Sequence, residues 1–363
     1  MANFTLTIET VAPIHIGSGR ADLYRDIDFV VHGNYVYVLD VDAVLEAVLP
    51  ADERDPRYDQ VLNTHNLGSF LPKMELDAKP ALVRYTSRQV PTTAQIRAQT
   101  VDSGVHAYVP GSSLKGALRT AWLRTHFEGT NKKIVASDLG ERAEYAFRRT
   151  EESVLSPGRI DGRTAPNRDL FRAVQITDSH PFERSASSVY NVVVVPAGQK
   201  GIPIAVEGIK PRQTTTARLK FDDYLLNHAA EQLGWGNAAH GLTNLITICQ
   251  EQGIKRIHEE RTFWESRAPE VEKFYADLAT KADQREPNTC YIEVGWGSGW
   301  MSKTLGRVLR DDRPLLAQLM RRYRLNRGTY HDGDAFPKTR RAIRDQEGVL
   351  RVPMGWVKLS VGM

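Results

Sequence analysis

Pro110-Gly111-Ser112-Ser113-Leu114-Lys115-Gly116-Ala117-Leu118-Arg119-Thr120-Ala121 is the stretch on which the reading of this chain turns. Pro110-Gly111 breaks the strand-like run that ends at Val109. Ser112 or Ser113 then supplies a cap, and Leu114, Ala117, Leu118 and Ala121 recur on one face of a helix. Lys115 and Arg119 stand four apart and share another face. Like charges at that spacing cost roughly 0.2–0.5 kcal/mol. Lys115 also lies near the positive end of the helix dipole. Cations placed against both effects point to a bound anion, and a helix N-terminus suits phosphate. A solvated basic face is the plainer alternative.

Upstream, Phe4, Leu6 and Ile8 alternate with Thr5, Thr7 and Glu9, the pattern of a half-buried strand. It leads into Pro13-Ile14-His15-Ile16-Gly17-Ser18-Gly19-Arg20. Gly17 and Gly19 around Ser18 let backbone N–H groups approach an anion, and Arg20 adds charge. His15, between two isoleucines, reads first as structural, and second as a general acid/base or a stacking and hydrogen-bonding group.

Downstream, Gly295-Trp296-Gly297-Ser298-Gly299-Trp300-Met301-Ser302-Lys303-Thr304 follows the apolar run Tyr291–Val294. It departs from G-x-x-x-x-G-K-[ST], because Ser302 stands where a glycine should precede Lys303-Thr304. It departs from G-x-G-x-x-G in spacing, with tryptophans where the backbone must approach a pyrophosphate. An extended RNA strand fits better. Glycines admit a phosphodiester backbone, the Trp296 and Trp300 indoles can stack on bases, and Lys303 takes a phosphate. A buried-tryptophan turn without a ligand is the competing reading. Near the end, Phe336-Pro337-Lys338-Thr339-Arg340-Arg341 leads to Pro353-Met354-Gly355-Trp356-Val357-Lys358-Leu359, by itself only a basic loop before a strand.

Elsewhere the patterns are mixed. Phe29–Val31 and Tyr35–Leu39 predict a hairpin across His32-Gly33-Asn34, and Asp42 a cap for a short helix. Residues 50–100, rich in Pro, Asp, Arg and Gln with weak periodicity, read as an insertion that is partly mobile. Further strands are expected at 172–177, 189–195, 204–206 and 217–221, and helices at about 222–233, 242–250 and 254–282. Without regular βαβ alternation the class is α+β, in two domains dividing at 180/181. The second domain holds the helical segment of about 222–284 and the Gly-rich loop 295–299.

The 363 residues are 41% hydrophobic and 25% charged with a formal net charge of +4, ordinary for a folded protein. Nothing approaches the ~20 apolar residues that span a bilayer, and Met1-Ala2-Asn3 enters a strand without a signal region. A cytoplasmic protein without membrane contact is expected. Cys249 and Cys290, too far apart in sequence for a metal knuckle, read as buried thiols in a reducing compartment. Scattered histidines argue against structural zinc, and no cofactor is expected. From Lys303 to Arg344, arginines such as Arg307, Arg310, Arg321, Arg322, Arg324 and Arg327 crowd together, either as a solvated helical face or as a polyanion footprint.

In this order the four motif segments resemble the RAMP superfamily of CRISPR-associated proteins. Residues 13–19, 110–121 and 295–299 carry its marks. The Gly-Trp-Gly-Ser-Gly-Trp form of the loop, with 336–341 and 354–359, is similar to the fifth subunits of type III-A Csm effector complexes. Residues 181–287 carry little that matches. The resemblance implies tandem RRM-like (ferredoxin-like) domains in a subunit that caps the effector backbone. Such a subunit holds the 3′ side of crRNA beside the repeated RAMP subunit. The small subunit, target RNA and the host nucleases that trim crRNA 3′ ends are its further implied partners. It is not itself a nuclease. On this chain the resemblance implies phosphate contacts from Lys115, Arg119 and Lys303, and backbone approach at Gly17, Gly19, Gly295, Gly297 and Gly299. Lys338, Arg340 and Arg341 would extend the channel. His15, Ser18, Arg20, Ser112, Ser113, Trp296, Ser298, Trp300 and Thr304 complete the implied RNA-binding set. Two enzyme readings compete: an endoribonuclease using His15 with Lys115 or Lys303, and a Mg²⁺-dependent one using Asp26 or Asp28. A protein scaffold without RNA contact is the third alternative.

Overall fold

The structure is a computed structural model that describes residues 2–19, 22–129, 134–156, 159–160, 163–164, 166–196, 203–310, 312–325 and 336–362. Period-two alternation does form the first strand, β1 (Ala2–Thr10), with Leu6 and Ile8 turned into the core. The hairpin expected next is also present, β2 (Phe29–His32) paired with β3 (Tyr35–Leu39) across the two-residue turn Gly33-Asn34. Further strands are β4 (Val83–Ser87), β5 (Val174–Ile176), β6 (Ser187–Pro196), β7 (Pro203–Ile209) and β8 (Thr214–Phe221). The last four are β9 (Thr289–Glu293), β10 (Thr339–Arg344), β11 (Leu350–Pro353) and β12 (Trp356–Gly362). They assemble into a five-stranded antiparallel sheet in the order β9-β12-β1-β8-β5, a four-stranded sheet β7-β6-β10-β11, and a smaller sheet β2-β3-β4. The class is α+β, as expected. The division at 180/181 does not separate two sheets, because the five-stranded sheet takes β1 and β5 from before it and β8, β9 and β12 from after it.

Among the helices, α1 (Val41–Val48) is capped by Asp40, whose carboxylate accepts from Ala43 N–H, so Asp42 lies inside the first turn instead of at the cap. The stretch at 110–121 opens α2 (Gly111–Gly129), whose Leu114, Leu118 and Ala121 pack on Leu6, Ile8 and Leu219 of the large sheet. Each leucine so buried contributes about 1.5–3 kcal/mol. Two long helices follow, α3 (Leu245–Trp264) and α4 (Pro269–Ala282). The expected break near 251–253 is absent. Gly253 sits in mid-helix because a Cβ there would stand 2.1 Å from the Tyr291 carbonyl oxygen: the glycine lets α3 lie against β9. The chain turns instead at 265–268, and Pro269 starts α4 at the position where its missing N–H costs nothing. The helix expected over 222–233 is confined to Asp223–Asn227, after which the chain turns to bury Trp235, whose indole N–H donates to the Arg168 carbonyl. Cys249 and Cys290 are buried and free, and lie in the large core.

The stretch 50–100 read as an insertion contains ordered structure. It supplies β4 to the small sheet, which shares a core of Phe29, Val36, Val38 and Tyr85 with Val189 and Ala205 of the four-stranded sheet. Its last turn runs beside the 13–19 segment, with Gln99 Oε1 accepting from Ile16 N–H and Thr100 N–H donating to the Ile16 carbonyl. Glu207, buried on β7, ties this together: its carboxylate accepts from the Tyr85 hydroxyl at 2.9 Å and the Gln99 N–H at 2.9 Å, and pairs with Arg84 at 3.2 Å.

Candidate nucleic-acid interface

Three motifs far apart in sequence meet at one cleft of about 570 Å³, lined among others by Gly17, Ser113, Gly116, Gly295, Trp296 and Lys303. The meeting is made by backbone. Trp296 N–H donates to the His15 carbonyl at 2.8 Å, and Gly355 N–H to the Pro13 carbonyl at 2.9 Å. Gly295 has φ +75, and a Cβ on it would lie 2.2 Å from the His15 oxygen, so only glycine lets the two segments touch. Gly297 is explained the same way. Its Cβ position is 2.5 Å from Met354 Cβ, so this glycine is required by the protein's own packing. The loop is closed by Ser298, buried, whose hydroxyl donates to the Gly295 carbonyl at 2.7 Å.

At the mouth stands the half-buried Trp296 indole. Arg341 places its guanidinium carbon 4.3 Å from the ring centroid and Arg97 5.0 Å from it, both at cation–π distance. The His15 ring meets the same indole edge-on at 6.1 Å. Burial, then the nearby Arg97 charge, lowers the Arg341 pKa, and burial followed by Arg341 lowers that of Lys303. Arg97, Lys303 and Arg341 make no ion pair among the described residues. Two cations thus flank the aromatic face and a third, Lys303, lines the same cleft as the indole, an arrangement that stabilises a polyanion laid across it.

The start of α2 differs from expectation. The helix begins at Gly111, and its N–H is taken by the Asp178 carboxylate at 2.8 Å, so Ser112 and Ser113 lie in the first turn and do not cap. Both line the cleft, as does Arg119. Arg119 is also held by Asp169 at 2.9 Å and Glu151 at 3.6 Å. Lys115 is not among the lining residues, and burial foremost lowers its pKa. Gly17 is exposed on the cleft wall, and the Ser18 N–H donates to the Ala98 carbonyl at 3.3 Å. Gly19 has φ +70 and open space beside it. Arg20 lies outside the described residues, as does Arg327.

The fourth segment joins through an adjoining cleft of about 240 Å³ lined by Gly297, Gly299, Trp300, Phe336, Arg340 and Arg341. Trp300 packs edge-on to Phe336 at 4.7 Å and over Gly306, whereas Trp296 keeps cationic neighbours. Thr304 is a local cap, its hydroxyl donating to the Trp300 carbonyl and accepting from Gly306 N–H. Arg340 pairs with buried Glu260 at 2.5 Å and lies over the Phe263 ring, while Lys338 is half-buried at the strand entrance. The arginines of 303–344 do not form one continuous footprint. Arg307 and Arg310 both pair with Glu259 of α3.

Beneath the loop lies a buried ionic cluster. Arg256 of α3 pairs with Glu260 at 2.6 Å and Glu293 at 3.0 Å, and the Ser302 hydroxyl also donates to Glu293. Burial works to raise the Glu260 pKa, but attraction to Arg256 and Arg340 overrides it and holds the carboxyl below its ordinary range. Arg124 of α2 donates to the carbonyls of Met301 and Thr304, on either side of Lys303. The loop is therefore clamped from two helices. Sequence reading missed Arg97, Asp178 and Glu207. Arg97 lay in a segment whose strand signal is two residues long (Gln95–Ile96), and the other two act through long-range contacts that no local pattern marks.

The RAMP superfamily profile matches residues 7–302. A Methanocaldococcus jannaschii protein named "CRISPR system Cms protein Csm5" is 20% identical, covering 97% of this chain and 88% of its own. A chain of a type III-A Csm–crRNA–target RNA ternary complex superimposes with a TM-score of 0.69 at 24% identity, covering 98% of this chain and 100% of that one. The T. onnurineus Csm5 crystal structure gives 0.67 at 24%, covering 97% and 99%. The two structural likenesses establish the fold.

Proposed function

The chain belongs to the RAMP superfamily, and we propose that it is the crRNA-binding subunit that caps the backbone of a type III-A Csm effector complex. The similarity to Csm5 proteins over nearly the whole chain supports the assembly. The RNA contact is carried by one observation, Trp296 flanked by Arg97 and Arg341 at the cleft that Lys303 also lines, where the motif segments converge. Its donors are guanidinium and ammonium groups and its platform is an indole, so it grips phosphate and stacks on any base. In the complex this subunit holds the 3′ side of crRNA beside the repeated RAMP subunit, near the small subunit and target RNA. There it defines the length that host nucleases leave after trimming. The subunit itself is non-catalytic. His15, held near a pKa of about 4, has no proton to donate at neutral pH and is too weak a base to remove one efficiently from a ribose hydroxyl, and the Asp28 carboxylate accepts from Tyr24 N–H at 2.7 Å. The test is titration of purified protein with labelled single-stranded RNAs of unrelated sequence at several salt concentrations. Binding that weakens with salt, by a log–log slope of about 0.7 per phosphate, and falls in Arg97→Ala and Lys303→Ala is expected. Salt-independent binding, wild-type affinity in both variants, or RNA cleavage abolished by His15→Ala would overturn it.

A further inference from the structure

His15, buried behind the Gly17 wall of the cleft, presents a hydrogen-bond acceptor close to the cations Arg97 and Lys303. Its Nδ1–H donates to the Glu207 carbonyl at 2.7 Å, which leaves the lone pair on Nε2. Glu207 is buried and tied by its own side chain to Arg84, Tyr85 and Gln99, so the ring orientation is set from behind. Burial foremost, with Arg97 and Lys303 adding and the Glu207 hydrogen bond and Asp22 opposing, keeps the imidazole neutral down to a pKa of about 4. Nε2 has no hydrogen-bond partner among the described residues. The His15 side chain is otherwise buried, and its Nε2 lies 3.7 Å from the place a Cβ would take on Gly17, an exposed residue of the cleft wall, so the missing side chain leaves an approach to the nitrogen on that side alone.

A phosphodiester has no hydrogen to offer this nitrogen. The donor that accompanies every step of an RNA backbone, and is missing from DNA, is the ribose 2′-hydroxyl. We propose that His15 Nε2 accepts a hydrogen bond from a ribose 2′-hydroxyl of the bound strand, making His15 the residue by which this site distinguishes RNA from DNA. This rests on the RNA-binding reading above.

The test compares the full-length protein on three single strands of one sequence: RNA, 2′-fluoro RNA, which keeps the sugar shape but loses the donor, and DNA. A uridine-rich and an adenine-rich sequence are both used. The wild type should prefer RNA to 2′-fluoro RNA by about three- to tenfold, the range of one net hydrogen bond. His15→Phe should bind RNA and 2′-fluoro RNA alike, at the wild-type 2′-fluoro level. Should His15→Phe lower the melting temperature, Gly17→Ala takes its place, since its methyl would meet Nε2 at ordinary contact distance and cover it. It should lose the same preference for RNA over 2′-fluoro RNA, a ratio that any general effect of the added methyl on strand binding leaves unaltered. Wild type that binds none of the three strands would overturn the RNA-binding reading itself. RNA binding without a 2′-fluoro penalty, a penalty retained in both variants, or discrimination by base and not by sugar would overturn the role of His15 alone.

Discussion

Arg341 holds Trp296 twice, with its guanidinium carbon 4.3 Å from the indole centroid and its Nη1 donating to the Trp296 carbonyl at 3.2 Å. The same cation thus fixes the loop and charges its face. Arg341→Gln should weaken RNA binding and reduce the salt slope by about 0.7, one phosphate contact. Arg341→Lys should keep the slope but lose part of the affinity, because an ammonium does not stack as a guanidinium does. Salt titrations of both variants check this.

Two glycines that look alike in sequence should respond oppositely to alanine. Gly116 lies in α2 with open space where a Cβ would go, so Gly116→Ala should raise stability by about 0.5–1 kcal/mol. Since it lines the cleft, the same change should reduce RNA affinity. Gly253→Ala should lower stability by about 1–3 kcal/mol, because α3 must move off the Tyr291 carbonyl. Urea unfolding of the two variants, with RNA titration of the first, decides it.

Arg256 is buried between Glu260 and Glu293. Removing it leaves buried Glu293 without its counterion and Glu260 with Arg340 alone. Arg256→Met should therefore destabilise the fold by about 3–5 kcal/mol, read from the shift in urea midpoint. Truncating an exposed pair such as Arg351 with Glu347 should cost less than about 1 kcal/mol.

His15 also predicts a pH dependence. Unfolded, it takes up a proton near pH 6.5; folded, at about 4. The unfolded state therefore binds more protons in that window, and stability falls as pH drops from 6.5 towards 4. Over the window His15 should account for up to roughly 3 kcal/mol, which His15→Phe should remove from the pH slope. Melting curves between pH 4.5 and about 7.5 for both proteins measure the difference.

The sequence by itself determined the elements whose pattern is local. Alternation placed β1 and the β2–β3 hairpin, and helical periodicity placed α2. The motif glycines and Lys303 were legible as a group because their residue types are costly without a partner. Tertiary structure alone decided what those residues face. Gly297 meets Met354, Gly253 meets the Tyr291 carbonyl, and Arg340 turns to Glu260, none of which sequence spacing can state. Arg97 and Glu207 entered the site through pairings across more than a hundred positions, Arg97 N–H with the Ala205 carbonyl and Glu207 N–H with that of Arg97. The physical reason is range. Backbone propensity and periodicity act over a few residues, whereas burial, ion pairing and the approach of two backbones are set by whichever segments the sheets bring together.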